Sequence, residues 1–170
     1  MNNFANSKVI KLSFFVLLAT LIVAGCKKKD IWPKETYEML NKRSIKLVTY
    51  SNSRLSQFSF QESANKHVAV YTNQVMDLSQ CNDCGHPFIA FEVDPLLSEF
   101  IYSSAQDLEN IHAISGVTSS FFGPYAYPIR SGSISGRKTT DYSWIITIDL
   151  PADSTKPNES RKIKGVFTLK

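Results

Sequence analysis

Two runs near the C-terminal end of the chain alternate between two classes of side chain. Along residues 143–150 the even positions hold Trp, Ile, Ile and Leu, and along residues 162–169 the odd positions hold Ile, Gly, Phe and Leu. A period of two places successive side chains on opposite faces of an extended strand. The pattern therefore predicts two strands, and the polar, proline-bearing residues 151–160 between them predict a hairpin loop.

Four earlier runs are rich in β-branched and aromatic residues, a composition that favours strands. They are residues 45–50, 55–60, 68–75 and 88–93. Polar stretches that separate the first three runs supply turn residues, so we expect these three strands to form a meander. The fourth run alternates between apolar faces and ends just before Pro95. A glycine-bearing run at residues 131–137 predicts one more strand.

Two other segments carry helical signals. Residues 34–42 follow Pro33, which suits the first turn of a helix, so we expect a brief helix there. Between residues 95 and 114 apolar positions recur at spacings of three, four and seven, which predicts one or two short helices. Ser104, three residues before an aspartate, fits a helix start, and Gly116 fits a helix stop.

These elements predict a mainly β protein, either an antiparallel β-sandwich or an open β-barrel of about seven to eight strands with one or two short helices. Residues 33–170 are enough to close one core, so we expect a single β-rich domain. A lipocalin-like barrel is the alternative architecture. The Gly-x-Trp that opens such barrels is missing, because Trp32 has no glycine two positions before it.

The N-terminal segment has the layout of a secretory signal. Lys8 and Lys11 supply a charged region, and residues 14–24 follow with Thr20 as their one polar residue. This apolar run is eleven residues long, whereas a membrane-spanning helix needs roughly 20. We therefore expect residues 1–25 to be a signal peptide that is removed from the mature protein.

The end of this segment, residues 21–26 (LIVAGC), places apolar and small residues directly before a cysteine and resembles the lipobox of bacterial lipoproteins. The resemblance implies that Cys26 is the first mature residue, that its sulfur carries a diacylglycerol and that its amine carries a third acyl chain. Several chains together anchor a protein stably to a membrane, whereas one chain binds marginally. The alternative is an ordinary signal peptide in which Cys26 is incidental.

Three lysines and an aspartate, residues 27–30, follow the cysteine and resemble the start of small Bacteroidota-type envelope lipoproteins. We interpret residues 26–32 as a lipidated tether. The resemblance implies a location in the cell envelope, in the outer membrane of a Gram-negative bacterium, with the periplasmic and the surface face both left open. The lysines also suit contact with anionic headgroups. The resemblance ends with this tether.

The formal net charge of +4 comes from the N-terminal segments. Five of the 19 Lys and Arg residues precede Asp30, so the remaining chain carries 14 of them against 15 acidic residues, and a basic surface for nucleic acid is not expected. Residues 67–129 contain seven acids and no Lys or Arg. We expect these acids to pair with basic residues of neighbouring strands. The alternative is a cation site at Glu92, Asp94 and Glu99, although calcium needs about six to eight oxygen ligands.

Residues 81–87 (CNDCGHP) form the constellation that offers the most chemistry. In an exported protein we expect Cys81 and Cys84 to form a small local disulfide, because no glutathione pool keeps them reduced. A metal site is the first alternative, with Cys81, Cys84 and His86 as three ligands and a carboxylate or water as the fourth. A thioredoxin-type redox pair is the second, although that motif needs a strand followed by a helix. No bound cofactor is expected.

An aromatic, proline-bearing loop over residues 117–130 offers Phe121, Phe122, Tyr125 and Tyr127 as binding candidates. Exposed rings would suit stacking on a sugar or burial in a protein partner. We expect the rings to be buried, because a domain of this size needs aromatic core residues.

No sequence feature supports catalysis. The chain has no Gly-x-Ser-x-Gly elbow and no glycine-rich phosphate loop, and we expect His67 and His112 to be structural or surface residues. The sequence therefore predicts a lipid-anchored, non-enzymatic binding or structural module with an unknown protein or glycan partner. The alternatives are a small-ligand carrier of the lipocalin kind and a metal or redox protein centred on residues 81–86.

Overall fold

The computed structural model describes residues 34–49, 56–74, 85–118, 125–152 and 160–170, which all belong to one compact unit, Trp32–Lys170. Eleven strands and one six-residue helix, α1 (Ala105–Asn110), are the regular elements of these ranges. The prediction of a mainly β protein with a short helix is therefore confirmed. Within this part of the chain no helix has the length and apolar character needed to cross a membrane.

The strands, in chain order, are β1 (Lys34–Leu40), β2 (Arg43–Thr49), β3 (Ser56–Glu62), β4 (His67–Gln74), β5 (His86–Val93), β6 (Glu99–Tyr102), β7 (Ile114–Thr118), β8 (Tyr125–Pro128), β9 (Ser133–Thr140), β10 (Ser143–Leu150) and β11 (Arg161–Leu169). They join into a single sheet with the order β2-β3-β8-β7-β5-β4-β1-β11-β10-β9-β6. Neighbouring strands are antiparallel except β1 and β11, which are parallel. The expected count of seven to eight strands is therefore too low, and the described strands form one sheet where a sandwich would have two.

The sheet is open and curled, with a separate core on each of its faces. Along β5, Phe91 and Val93 point into the larger core, while Phe88 and Ala90 point into the smaller one. The rings of Phe91 and Phe100 lie 6.5 Å apart across the larger core, although β5 and β6 are not neighbours in the sheet. The two ends of the sheet therefore curl over opposite faces of β5, which is buried on both sides.

The larger core collects side chains from β1, β4, β5, β6, β9, β10, β11 and α1. Its largest fully buried members are Trp144, Phe91, Phe167 and Met39. The two C-terminal alternations are confirmed, because β10 and β11 pair as an antiparallel hairpin and direct their predicted apolar faces into this core. The smaller core lies under β2, β3, β7 and β8 and contains Ile45, Val68, Phe88, Ala90, Ile114 and Ala126.

The expected helix over residues 34–42 is wrong, because Lys34–Leu40 forms β1. The Lys, Glu, Met and Leu side chains of this segment favour a helix in isolation. As a strand, however, the segment pairs with β4 on one side and with β11 on the other. Met39 is also fully buried in the larger core. Ladder bonds on both sides and this burial outweigh the small local preference.

The expected meander of residues 45–75 is also wrong. β2 and β3 form a hairpin, but β3 then pairs with β8, and β4 pairs with β1 and β5. Hydrophobic patterning indicates which residues form strands. It does not indicate which strands meet, because that choice depends on contacts between residues far apart in the chain.

Residues 95–114 contain β6, α1 and the first residue of β7. The predicted helix start is confirmed, because Asp107 N–H donates to Ser104 Oγ at 3.0 Å and Ser104 N–H donates to Asp107 Oδ2 at 3.1 Å. These two bonds form a capping box. The predicted stop at Gly116 is wrong, since Gly116 lies within β7 and α1 ends at Asn110.

Candidate functional site

Several candidate residues lie outside the described ranges, namely Cys26, Cys81, Cys84, Phe121 and Phe122. The lipidation, the disulfide and its metal alternative therefore stay predictions. The structure describes the third metal candidate, His86, as the first residue of β5. Its carbonyl oxygen accepts a hydrogen bond from Thr118 Oγ1 at 3.3 Å, which ties the start of β5 to the end of β7.

Tyr127 is the aromatic candidate whose ring the structure describes, and 50% of the residue is exposed on β8. The expectation of burial is therefore wrong for this ring. Tyr127 lies opposite Ser115 of β7, and the nearby Val117 is also exposed. Of Tyr125 only the backbone is described, paired with Val117. Tyr127 thus offers an exposed ring on the outer face of β7 and β8.

The three acids proposed as a cation cluster have separate environments. Glu92 is buried, Asp94 Oδ1 accepts a hydrogen bond from Leu96 N–H at 2.9 Å, and Glu99 is exposed on β6 opposite Arg137. Among the residues that the structure describes, no three His, Cys, Asp or Glu side chains come together in a group that could hold a metal ion. These three carboxylates therefore have separate environments and do not form the cation cluster that the sequence suggested as an alternative.

One edge of the sheet is β2, and the ladder with β3 determines which of its backbone groups face outward. Ser63 N–H donates to Lys42 O at 3.0 Å, just beyond the end of the β2–β3 register. Lys42 and Ser63 are thus a hydrogen-bonded pair, and bonded and non-bonded pairs alternate along an antiparallel ladder. The pair of Ile45 and Phe60, three residues further along, is therefore non-bonded, and the N–H of Ile45 points away from β3. The Glu92 carboxylate accepts this outward N–H, with Ile45 N and Glu92 Oε1 2.8 Å apart.

The buried side chain of Glu92, a residue that is 4% exposed, joins three segments of the chain. Besides the bond from β2, His112 Nδ1 lies 3.0 Å from the same Oε1, and Glu92 N–H donates to Ile111 O at 2.8 Å. His112 has a left-handed backbone with φ 48°. A buried carboxylate costs free energy unless donors face it, and here they come from an edge strand and from the turn after α1. The Glu92–His112 pair is therefore structural.

The opposite edge of the sheet is β6, which pairs with β9 alone. Lys138 N–H donates to Ser98 O at 2.8 Å, so these two residues are a hydrogen-bonded pair. Because bonded and non-bonded pairs alternate, the next bonded pairs of the ladder are Phe100 with Gly136 and Tyr102 with Ile134. The backbone N–H and C=O groups of Glu99 and Ile101 consequently point outward. Within the described ranges they have no hydrogen-bond partner. The β6 edge is thus open, and Ile101 is 76% exposed.

No family model, curated protein or solved structure matches this chain. The function is therefore inferred from the sequence motifs and from the geometry of the domain.

Glu35 accepts hydrogen bonds from two tyrosine hydroxyls at one end of the larger core. Tyr71 Oη donates to Glu35 Oε1 at 3.1 Å, and Tyr37 Oη donates to Glu35 Oε2. Burial, followed by these hydrogen bonds, raises the pKa of Tyr71 to about 12 and also raises the pKa of Tyr37. Both phenols therefore remain protonated donors at neutral pH. This favours a structural role over a nucleophilic one.

Sequence reasoning missed the β6 edge and the Glu35 cluster. The signal for β6 was present, since Phe100 and Tyr102 alternate with Glu99 and Ile101 over four residues. It was hidden because the longer run from 95 to 114 also fits a helical spacing. The Glu35 cluster had no such signal, because Glu35 and Tyr37 share a face only in a strand and Tyr71 joins them only when β1 pairs with β4.

Proposed function

We propose that this protein is an envelope lipoprotein, anchored by acyl chains on Cys26, whose β domain binds a partner and catalyses no reaction. The observation that carries the proposal is the sequence LIVAGC at residues 21–26, which ends a short apolar run behind two lysines. Each buried methylene contributes about 0.8 kcal/mol to membrane binding, so several acyl chains hold a protein stably. The three lysines at residues 27–29 support a position beside anionic lipid in the outer membrane.

Surface binding has more support than a carrier function. The interior of the larger core is occupied by large, fully buried side chains, including Trp144, Phe91 and Phe167. This packing supports a filled core over the cavity that a small-ligand carrier requires. On the outside, large apolar side chains are exposed near β6, where Leu96 is 91% exposed. Exposed apolar surface of this kind is typical of interaction sites.

We also infer that the strands from β5 to β6 in the sheet order form an open barrel around the larger core. The contact between Phe91 and Phe100 supports this interpretation, because it joins the first and the last strand of that series across the interior. An open barrel differs from a sandwich in having one continuous ladder around its core.

The anchor is tested by metabolic labelling of the full chain with an alkyne-bearing palmitate. We expect the native chain to take up the label and to sediment with the outer membrane, and we expect Cys26→Ser to lose both properties. Cys81→Ser is the matched control, since it removes another cysteine of the same chain and should leave labelling unchanged. A native chain that is cleaved, unlabelled and released from membranes would contradict the proposal.

The alternatives centred on residues 81–86 are tested by the native intact mass of the exported chain. A mass two hydrogens below that of the reduced chain, with nothing bound, supports the Cys81–Cys84 disulfide. A stoichiometric zinc adduct that disappears in Cys81→Ser and in His86→Ala would instead support a metal site. A bound organic molecule in the native mass would favour the carrier.

A further inference from the structure

We propose that the open edge of β6 is a strand-addition site for an extended peptide in which apolar residues alternate with basic ones. The inference names the partner class of the proposed binding module and therefore rests on that function. In strand addition, backbone hydrogen bonds to a sheet edge supply affinity, and alternate side chains supply specificity.

The backbone of β6 provides the first requirement. Its outward groups are the N–H and C=O of Glu99 and of Ile101, four in all, and none has a partner among the described residues. Both residues are exposed, so an incoming chain has access to these groups. Phe100 packs against Trp144, with ring centroids 5.8 Å apart, and holds the strand on the core. The edge is therefore held on the core, and its outward backbone groups are unpaired among the described residues.

The side chains around this edge provide apolar anchors. Ile101 is 76% exposed on the outer face of β6, and the turn directly before the strand exposes Leu96 and Leu97. Asp94 fixes that turn, because its carboxylate accepts Leu96 N–H and its carbonyl oxygen accepts Leu97 N–H at 3.3 Å. An apolar residue of the partner would bury Ile101, which contributes on the order of 25 cal/mol per Å² of surface removed from water.

The charges near β6 determine which charge the side chains of a partner should carry. Glu99 lies on β6 itself, on the same face as Ile101, whereas Asp94 and Asp107 lie near Tyr102, which is on the other face. No Lys or Arg occurs between residues 67 and 129. Burial raises the pKa of Tyr102, and the negative charges of Asp94 and Asp107 raise it further, because both carboxylates lie close to its hydroxyl. The neighbouring bases are Arg137, opposite Glu99, and Lys138, whose N–H donates to Ser98 O, and both lie on β9, on the side of β6 away from the open edge. In a peptide whose apolar residues face Ile101, the alternate basic residues therefore lie on the face of Tyr102, near Asp94 and Asp107.

The same charges disfavour a second copy of this chain as the occupant. Two β6 strands paired edge to edge would bring Asp94 and Glu99 of one chain next to the acids of the other. Like charges on facing strands are destabilising. A basic extended segment has no such penalty, and its attraction to the edge should weaken as salt is added.

The test uses the full chain in detergent and an acetylated, amidated hexapeptide of alternating Lys and Val. At a peptide concentration about ten times Kd we expect amide hydrogen exchange at Glu99 and Ile101 to slow about tenfold. A hexapeptide of alternating Glu and Val is the matched probe, and it should leave both amides unprotected. Equal protection by the two peptides would contradict the charge argument, and no protection by either would overturn the site.

Two substitutions locate the binding. Ile101→Lys should weaken the Lys–Val peptide at least about tenfold, because it removes the apolar anchor and adds a like charge. Val166→Lys is the matched control on β11, a strand paired on both sides, and should leave binding unchanged although Val166 is 55% exposed. Ile101→Pro should abolish binding without removing a ladder bond, since the N–H of Ile101 points outward.

The outcomes separate this inference from the proposed function. If the peptide protects Ser115 or Val117 and not β6, the domain is still a binding module, but the site proposed at β6 is wrong. If nothing is protected while Cys26-dependent labelling persists, the edge inference fails and the lipoprotein assignment stands. If labelling does not depend on Cys26 but Ile101 is protected, the anchor fails and the edge site stands.

Discussion

The two edge strands of the sheet, β2 and β6, differ in the partners of their outward backbone N–H groups. On β2, seven residues long, the outward N–H of Ile45 is bound by the buried carboxylate of Glu92. On β6, four residues long, the outward amides of Glu99 and Ile101 have no partner within the described residues. Proteins commonly protect sheet edges by shortness, charge or cover. Here a buried carboxylate binds one outward N–H of the longer edge, whereas the outward groups of the shorter edge are unpaired within the described residues and lie beside exposed apolar residues.

The difference follows from which face each edge meets. The smaller core brings β2 onto β5 at the position of Glu92, so one carboxylate can take the place of one missing ladder bond. The larger core holds β6 through Phe100, whose ring lies 5.8 Å from that of Trp144 on β10, and no side chain of the described residues binds the outward backbone groups of β6. Packing therefore fixes the position of both edges, whereas a side-chain hydrogen bond takes up an outward N–H on β2 alone among the described residues of the two edges.

The largest effect is expected at the β2 edge. Glu92→Ala should lower the free energy of unfolding by about 3 kcal/mol, because it leaves the buried Ile45 N–H without an acceptor and opens a cavity. The measurement is urea unfolding of the full chain. Glu99→Ala, the matched acid on the open edge, should change stability by less than about 0.5 kcal/mol. Equal losses for the two variants would show that the bond from Ile45 N–H to Glu92 does not stabilise the β2 edge.

A smaller effect is expected where β6 packs on the larger core. Gly136 lies opposite Phe100, and a methyl group there would overlap the Phe100 ring, coming to 2.7 Å from Cε1. Gly136→Ala should therefore cost about 2 kcal/mol in urea unfolding. Ser135→Ala, one residue away on the outer face, is the control and should be nearly neutral. In a Phe100→Leu background the Gly136→Ala cost should shrink, and an unchanged cost would mean that the ring is not the obstacle.

The sequence predicted some of this arrangement. The alternations that became β5, β10 and β11 were reliable, because each of these strands buries a continuous apolar face. The strand β1 was not predicted, since its helix-favouring residues form a strand only when β4 and β11 flank them. The sequence predicts separate roles for Glu92 and His112, whereas their contact depends on β5 meeting the turn after α1. Local sequence patterns do not predict contacts between side chains of different elements.

A third comparison separates the contact of His112 from its backbone conformation. His112→Ala should lower stability by about 1 kcal/mol through loss of the contact with Glu92. His112→Gly loses the same contact but adopts φ 48° without steric cost, so it should be more stable than His112→Ala by about 1 kcal/mol. Urea unfolding of the two variants and the native chain gives both differences. If the glycine variant is the less stable of the two, the left-handed conformation carries no strain at this position.

The smallest effect is expected beside the open edge, at the capping box of α1. Hydrogen bonds from Ser104, its side chain first and then its backbone N–H, hold the pKa of Asp107 below the ordinary 3.8. A carboxyl whose pKa is lower in the folded than in the unfolded chain adds stability above the unfolded pKa, and that stability is lost as the pH falls through the folded value. Asp107→Asn should therefore be slightly less stable than the native chain at about pH 7, and the difference should close below about pH 4. Urea midpoints at both pH values measure it. A difference that stays constant on acidification would mean that the charge of Asp107 does not contribute, and the cap would then act through neutral hydrogen bonds alone.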